Sequence, residues 1–193
     1  MPFAFPQNNF WEDIMNLVLI GMPGAGKSTI GVILAKITGK SFIDTDLVIQ
    51  QTENRLLQQI IDEDGVASFL AVEARTILNL QVDQAVIATG GSAVYSPAAM
   101  KWLRQNGIII YLRLPCGEIE KRIVNMASRG IAIGKGQPLL ELYHERTPLY
   151  EKYADIRVDV ADCSVETAAE RTVAAIAKYS GGSGVRQLKI DNG

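Results

Sequence analysis

Gly21-Met22-Pro23-Gly24-Ala25-Gly26-Lys27-Ser28 follows the apolar run Leu17-Val18-Leu19-Ile20 and leads into a helix-forming stretch over 29–36. Glycines at these positions let the chain turn so that backbone N–H groups point inward and surround phosphate oxygens. The helix behind them adds the partial positive charge of its N-terminus. A strand, a G-x-x-x-x-G-K-[ST] loop and a helix, in that order, make a phosphate-binding P-loop. Lys27 is expected to reach the β- and γ-phosphates of ATP, and the Ser28 hydroxyl to ligate Mg²⁺. Gly21, Gly24, Ala25, Gly26 and Thr29 belong to the same cradle. A chance glycine-rich turn would lack the two flanking elements.

Asp44 and Asp46 close the apolar stretch 41–43. Two carboxylates leaving a strand end suit the water shell of Mg²⁺ and the orientation or deprotonation of an acceptor hydroxyl. The competing reading makes them capping aspartates of the next helix. Ala88-Thr89-Gly90-Gly91 offers a backbone turn that can approach a ligand closely, or a plain tight turn. Gly130, Gly134 and Gly136, with Arg129 and Lys135, lie in a stretch over 128–137 that has little core-building pattern. Such a segment inside a compact domain reads as a lid.

These residues need elements to position them. Apolar runs predict strands over 17–20, 41–43, 85–88, 107–112 and 156–158. Helical spacing predicts helices over 28–38, 47–80 with a break at Asp64-Gly65, 97–105, 118–125, 139–153 and 165–179. Strands that are continuously apolar and alternate with helices imply a parallel sheet covered on both faces, an α/β fold. The polar strand ends at Gly21, Asp44 and Gly90 then share one rim, where ligands bind in such sheets. The chain divides into an irregular lead-in (1–16), one domain (17–179, lid about 127–138) and a flexible tail (180–193).

A length of 193 residues suits one domain with a substantial core. The net charge of −2 without a polybasic block favours neither nucleic acid nor an anionic membrane as partner. No apolar run nears the roughly 20 residues that span a bilayer, and the N-terminus carries no secretory-signal pattern. Cys116 and Cys163 lie far apart and read as reduced thiols, so a cytoplasmic protein is expected; a monomer is expected as well. His144 reads as solvated, Trp11 and Trp102 as covering core edges, and Tyr143, Tyr150 and Tyr153 as packing.

The ordered set of motifs resembles the shikimate kinase family of P-loop NTPase folds. The resemblance rests on the P-loop through Gly31, on Phe42-Ile43-Asp44-Thr45-Asp46, on Phe69 with Glu73, and on Ile87-Ala88-Thr89-Gly90-Gly91. It also rests on Pro138-Leu139-Leu140 and on Arg146-Thr147-Pro148-Leu149-Tyr150-Glu151. It implies a three-layer fold with a five-stranded parallel sheet of order 2-3-1-4-5, a lid, and transfer of the ATP γ-phosphate to a hydroxyl of a small carboxylate metabolite. By the same resemblance Lys27 and Ser28 are the phosphate and metal residues, Asp44 the metal-shell acid and Asp46 the acceptor-hydroxyl residue. Gly90 and Gly91 line the acceptor pocket, Arg146 holds its carboxylate, and Arg122 lies against the adenine beside the loop over 162–165.

Three positions depart from the family pattern. Leu70 stands where an arginine follows the phenylalanine of F-R-x-x-E, Gln137 replaces the lid arginine, and Ser92 replaces a third pocket glycine. Neither leucine nor glutamine reproduces a bidentate arginine–carboxylate contact. Arg129 could restore the phosphate contact from another lid position, or be a solvated charge. Leu70 and Ser92 together suggest a smaller, drier pocket, leaning towards homoserine over shikimate as acceptor. A regulatory nucleotide-binding module without kinase activity is the alternative. A nucleotide kinase is disfavoured because a phosphorylated acceptor needs several arginines.

Overall fold

The computed structural model describes residue 11 and residues 14–123 and 138–182. The expected lid (about 127–138), with Arg129 and Gln137, lies outside the described residues except for Pro138, as do most of the lead-in and the tail from 183 onward.

The elements run in the order β1 (Asn16–Ile20), α1 (Lys27–Thr38), β2 (Ser41–Asp44), α2 (Thr45–Glu53), α3 (Leu57–Leu78), β3 (Ala85–Ala88), a 3₁₀ turn (Ala93–Tyr95) and α4 (Pro97–Gln105). They continue with β4 (Gly107–Arg113), α5 (Cys116–Ile123), α6 (Leu139–Tyr153), β5 (Ile156–Asp159) and α7 (Val165–Gly182). All neighbouring strands pair in parallel, in the order β2-β3-β1-β4-β5. α1 packs on α7 and α3 packs on α4, so helices enclose the sheet in three layers.

Burial follows position in the sheet. Every residue of β1 and β3 is buried. The edge strands are less apolar in effect: β5 alternates buried Ile156 and Val158 with exposed Arg157 and Asp159. The main core runs along the sheet through Leu17, Leu19, Val86, Ile109 and Ile110 to Leu34, Leu103 and Val173 on the helices. A separate small cluster, Ile49, Leu57, Ile60, Ile61, Phe69 and Val72, holds α2 against α3. No helix among the described residues is long and apolar enough to cross a membrane.

The expected helix over 47–80 differs from what forms. Gly65 interrupts α3 with φ 85° and ψ 165°, at the expected break. A further break at Asn54, φ 50°, separates α2 from α3. Asparagine takes the left-handed conformation more readily than most residues, and it ends the helix without disturbing the apolar pattern around it. The last helix runs on through Ser180 and Gly181 to Gly182, three residues expected in the flexible tail.

The start of β1 also carries more structure than a lead-in. Asn16, fully buried, donates from Nδ2 to the carbonyls of Val82 (3.3 Å) and Asn106 (2.8 Å) and accepts the Ala85 N–H (3.0 Å) at Oδ1. One side chain thus ties the beginnings of β1, β3 and β4 together. Lys40, also buried, donates to the carbonyls of Trp11 (2.9 Å) and Ile14 (2.5 Å) and anchors the segment before β1. Asn16→Ala leaves buried backbone groups unpaired, each worth about 1–3 kcal/mol. The expected loss is about 3 kcal/mol in chemical denaturation, seen as a lower midpoint at unchanged slope.

Candidate active site

The carboxyl ends of β1, β2 and β3 open into a cleft of about 460 Å³. The P-loop forms its floor. Gly26 takes φ 91° as the residue before α1, a left-handed conformation that a β-carbon would strain. The turn it makes brings Lys27 back over the loop. Nζ of Lys27 donates to the carbonyls of Gly21 (2.8 Å) and Met22 (3.0 Å). Burial lowers the Lys27 pKa to about 8, against the pull of the Asp46 carboxylate, so the ammonium form still dominates at neutral pH.

The capping reading of the aspartate pair holds for Asp44. Its Oδ1 accepts the Asp46 N–H at 3.0 Å and so caps α2. Its Oδ2 accepts the Ser28 hydroxyl at 2.7 Å. A serine hydroxyl and a carboxylate side by side are the hard oxygen donors that Mg²⁺ takes when phosphates and water fill its other positions. Asp46 lines the cleft two residues further on. Burial first, and the Asp44 charge second, push its pKa up to about 6, with Lys27 opposing.

Gly90 and Gly91 crowd against everything else in the site. A β-carbon on Gly90 would collide with Oε1 of Glu73 and lie 2.8 Å from Oδ1 of Asp46. One on Gly91 would lie 2.9 Å from Cδ of Pro23 and 3.1 Å from Nη1 of Arg146. Only residues without side chains fit between the acids, the P-loop and the arginine. The Gly90 N–H donates to Oγ1 of Thr45 at 3.1 Å, which fixes this turn to the start of α2.

Glu73 is a site residue that the motif reading quoted but gave no role. It lines the cleft and is 1% exposed, and its Oε1 has no hydrogen-bond partner among the described residues. Its position was readable: Phe69, Val72, Glu73, Thr76 and Ile77 form the buried stripe of α3, and a glutamate in such a stripe calls for explanation. Burial pushes its pKa up to about 7, a hydrogen bond from Ser92 opposes that, and the charge of Asp46 adds to it. Ser92, itself buried, lines the cleft beside it.

Arg146, on α6, is 1% exposed and lines the same cleft. Its Nε donates to the Tyr95 hydroxyl at 3.1 Å, and its guanidinium carbon lies 5.1 Å from the centre of the Tyr95 ring. Tyr150 donates its hydroxyl proton to the Gly91 carbonyl at 2.6 Å, holding the glycine turn to α6. At the other end of the cleft Arg122 donates from Nη1 to the Gly24 carbonyl at 3.3 Å. Cys163, Ser164 and Val165 line that end, while Asp162 takes φ 47° in the turn before them.

Leu70 stands elsewhere. It lines an adjoining hollow with Ala71, Ser92, Tyr95, Ser96 and Pro97, and packs against the small cluster of α2 and α3. Successive residues on a helix point about 100° apart, so Phe69 faces the cleft and Leu70 does not. Among the described residues nothing supports the expectation that Leu70 methyls narrow and dry the cleft. Ser92 borders both spaces.

A family model for shikimate kinase matches residues 23–177. The shikimate kinase of Thiobacillus denitrificans is 40% identical over 154 residues, covering 78% of this chain and 84% of the relative. That of Nitrosococcus oceani is 34% identical over 176 residues, covering 89% and 92%. Among solved structures, shikimate kinase from Acinetobacter baumannii in complex with shikimate superposes with a TM-score of 0.82 at 27% identity, covering 89% of this chain and 98% of that one. Shikimate kinase from Aquifex aeolicus gives 0.73 at 26% identity, covering 88% and 100%.

The buried acid sets a pH dependence of stability. A carboxyl whose pKa rises from 4.5 in the unfolded chain to about 7 in the fold binds its proton more tightly when folded. Stability contributed by Glu73 is therefore present below about pH 4.5 and lost as pH rises towards 7. Glu73→Gln removes that loss while its amide oxygen can keep the Ser92 hydrogen bond. Thermal melts should show the variant more stable than the parent at pH 8, by on the order of 2–3 kcal/mol, with the difference shrinking towards pH 5.

Proposed function

The chain belongs to the shikimate kinase family, a P-loop kinase family, and on that premise we propose that it transfers the γ-phosphoryl group of ATP to a hydroxyl of shikimate. The observation that carries this reading is the convergence of Lys27, Asp46 and Arg146 on one cleft of metabolite size. Phosphoryl transfer is driven mainly by positioning and charge stabilisation, and these residues supply both.

The P-loop amides hold the β- and γ-phosphates, and Lys27 neutralises charge that develops on the transferring group. Mg²⁺ is the implied cofactor; with Ser28 and Asp44 as its protein-side oxygens, it would offset the phosphate charge. Asp46 orients the acceptor hydroxyl and takes its proton as the hydroxyl oxygen bonds to the γ-phosphorus. The bond from that phosphorus to the β-phosphate oxygen breaks, and ADP leaves. Arg146 grips the acceptor carboxylate through the guanidinium N–H groups, and Arg122 covers the nucleotide end. Gly90 and Gly91 bring the backbone against the acceptor.

Homoserine, the smaller acceptor suggested by Leu70 and Ser92, loses support because Leu70 lines the adjoining hollow instead of the cleft. A regulatory module without kinase activity has no physical need for Asp46 and Arg146 beside the phosphate cradle. A coupled assay of ADP release with shikimate and homoserine tests the acceptor. The expected outcome is kcat/KM for shikimate higher by about 100-fold or more. A reversed preference, or ATP binding without transfer to either compound, overturns the reading. Asp46→Asn is expected to lower kcat by about 100-fold or more while ATP affinity, measured by calorimetry, stays within about twofold.

A further inference from the structure

We propose that Tyr95 is a positioning residue for acceptor recognition: its hydroxyl, polarised by Glu145, sets the orientation of Arg146 towards the acceptor carboxylate. The inference rests on the reading of Arg146 given above. Neither Tyr95 nor Glu145 belongs to the motifs that carry the family resemblance.

The argument follows the protons. A phenol has one proton to donate. The Tyr95 hydroxyl stands 2.7 Å from Oε1 of Glu145, and an ionised carboxylate can only accept. The proton of Tyr95 is therefore committed to Glu145. Its oxygen is left with lone pairs, and one of them accepts Nε–H of Arg146 at 3.1 Å. Tyr150 acts on the other side of the site: its proton goes to the Gly91 carbonyl at 2.6 Å, which holds the glycine turn that Nη1 of Arg146 faces.

A phenol oxygen turned into an acceptor by its committed proton thus supports one buried guanidinium. Fixing Nε removes rotation of the guanidinium plane about its stem. Nη1 is then directed to the Gly91 side of the cleft, where it lies within 3.1 Å of the space a β-carbon would take. The Tyr95 ring beneath, 5.1 Å from the guanidinium carbon, adds a cation–π contact. The Tyr95 phenol gives this support without carrying charge itself, so it orients the guanidinium without adding a counter-charge to it. With leucine at position 70, recognition of the acceptor carboxylate leans on Arg146, and its orientation matters correspondingly more.

The test separates orientation from general damage. Tyr95→Phe keeps the ring and removes the oxygen. It should raise the KM for shikimate about tenfold, the scale of one hydrogen bond to a charged group, while kcat and the KM for ATP stay within about twofold. Glu145→Leu, which frees the Tyr95 proton, should raise the shikimate KM in the same direction. Glu145→Gln, whose amide oxygen still accepts that proton, should bring it back near the parent value. An unchanged shikimate KM in Tyr95→Phe, or a loss shared by kcat and the KM for ATP, overturns the relay while leaving the kinase assignment standing. A parent chain that phosphorylates neither shikimate nor homoserine overturns the acceptor reading and the relay with it.

Discussion

Two consecutive residues without side chains, Gly90 and Gly91, decide how close the parts of this site can come. Oε1 of Glu73, Oδ1 of Asp46, Cδ of Pro23 and Nη1 of Arg146 all crowd the space that β-carbons would fill. The acids, the phosphate loop and the guanidinium therefore share a volume that added β-carbons would force apart. The same burial explains the electrostatics. Asp46 and Glu73 both rise towards neutral pH mainly because burial strips their solvation, and each raises the other or is raised by a further acid. Lys27 falls for the same reason of burial, so the cleft holds a cation and two acids whose proton affinities are drawn together.

The sheet supplies the frame for this crowding. With β1 between β3 and β4, the loop after β1 and the turn after β3 leave adjacent strand ends. Asp44 then connects the two chemistries of the rim. One of its oxygens starts α2 and the other holds Ser28, so the helix that carries Asp46 is set by the same carboxylate that touches the phosphate loop. α6 closes the cleft from the opposite direction, through Arg146 and through Tyr150 bonded to the glycine turn.

Much of the fold was legible because local signals agreed with the tertiary structure. α4 is an instance. Ser96 caps it by accepting the Ala99 N–H at 3.2 Å and Pro97 occupies its first turn, both readable as a helix start. β3, α4 and α6 formed over the residues expected. The misses have physical causes. Asn54 breaks a helix without interrupting apolar spacing, and propensity is a weak guide to the glycines that end α7. At the site, residue type was readable but direction was not. Leu70 sits beside Phe69 in the chain, yet only Phe69 faces the cleft. Tyr95 and Glu145 lie in unrelated stretches and meet only through the fold.

The outer edge at β5 bears on how copies of this chain meet one another. An exposed strand edge is a template for intermolecular pairing unless its hydrogen-bonding groups or its side chains forbid it. Here Arg157 bonds to Glu151, and Arg113 pairs with Asp159 at 2.9 Å. Arg171 donates to the carbonyls of Asp159 (3.1 Å) and Ala161 (3.3 Å), filling acceptors just where the strand ends. A neighbouring strand pairing at that end would have to compete with Arg171 for the carbonyls of Asp159 and Ala161.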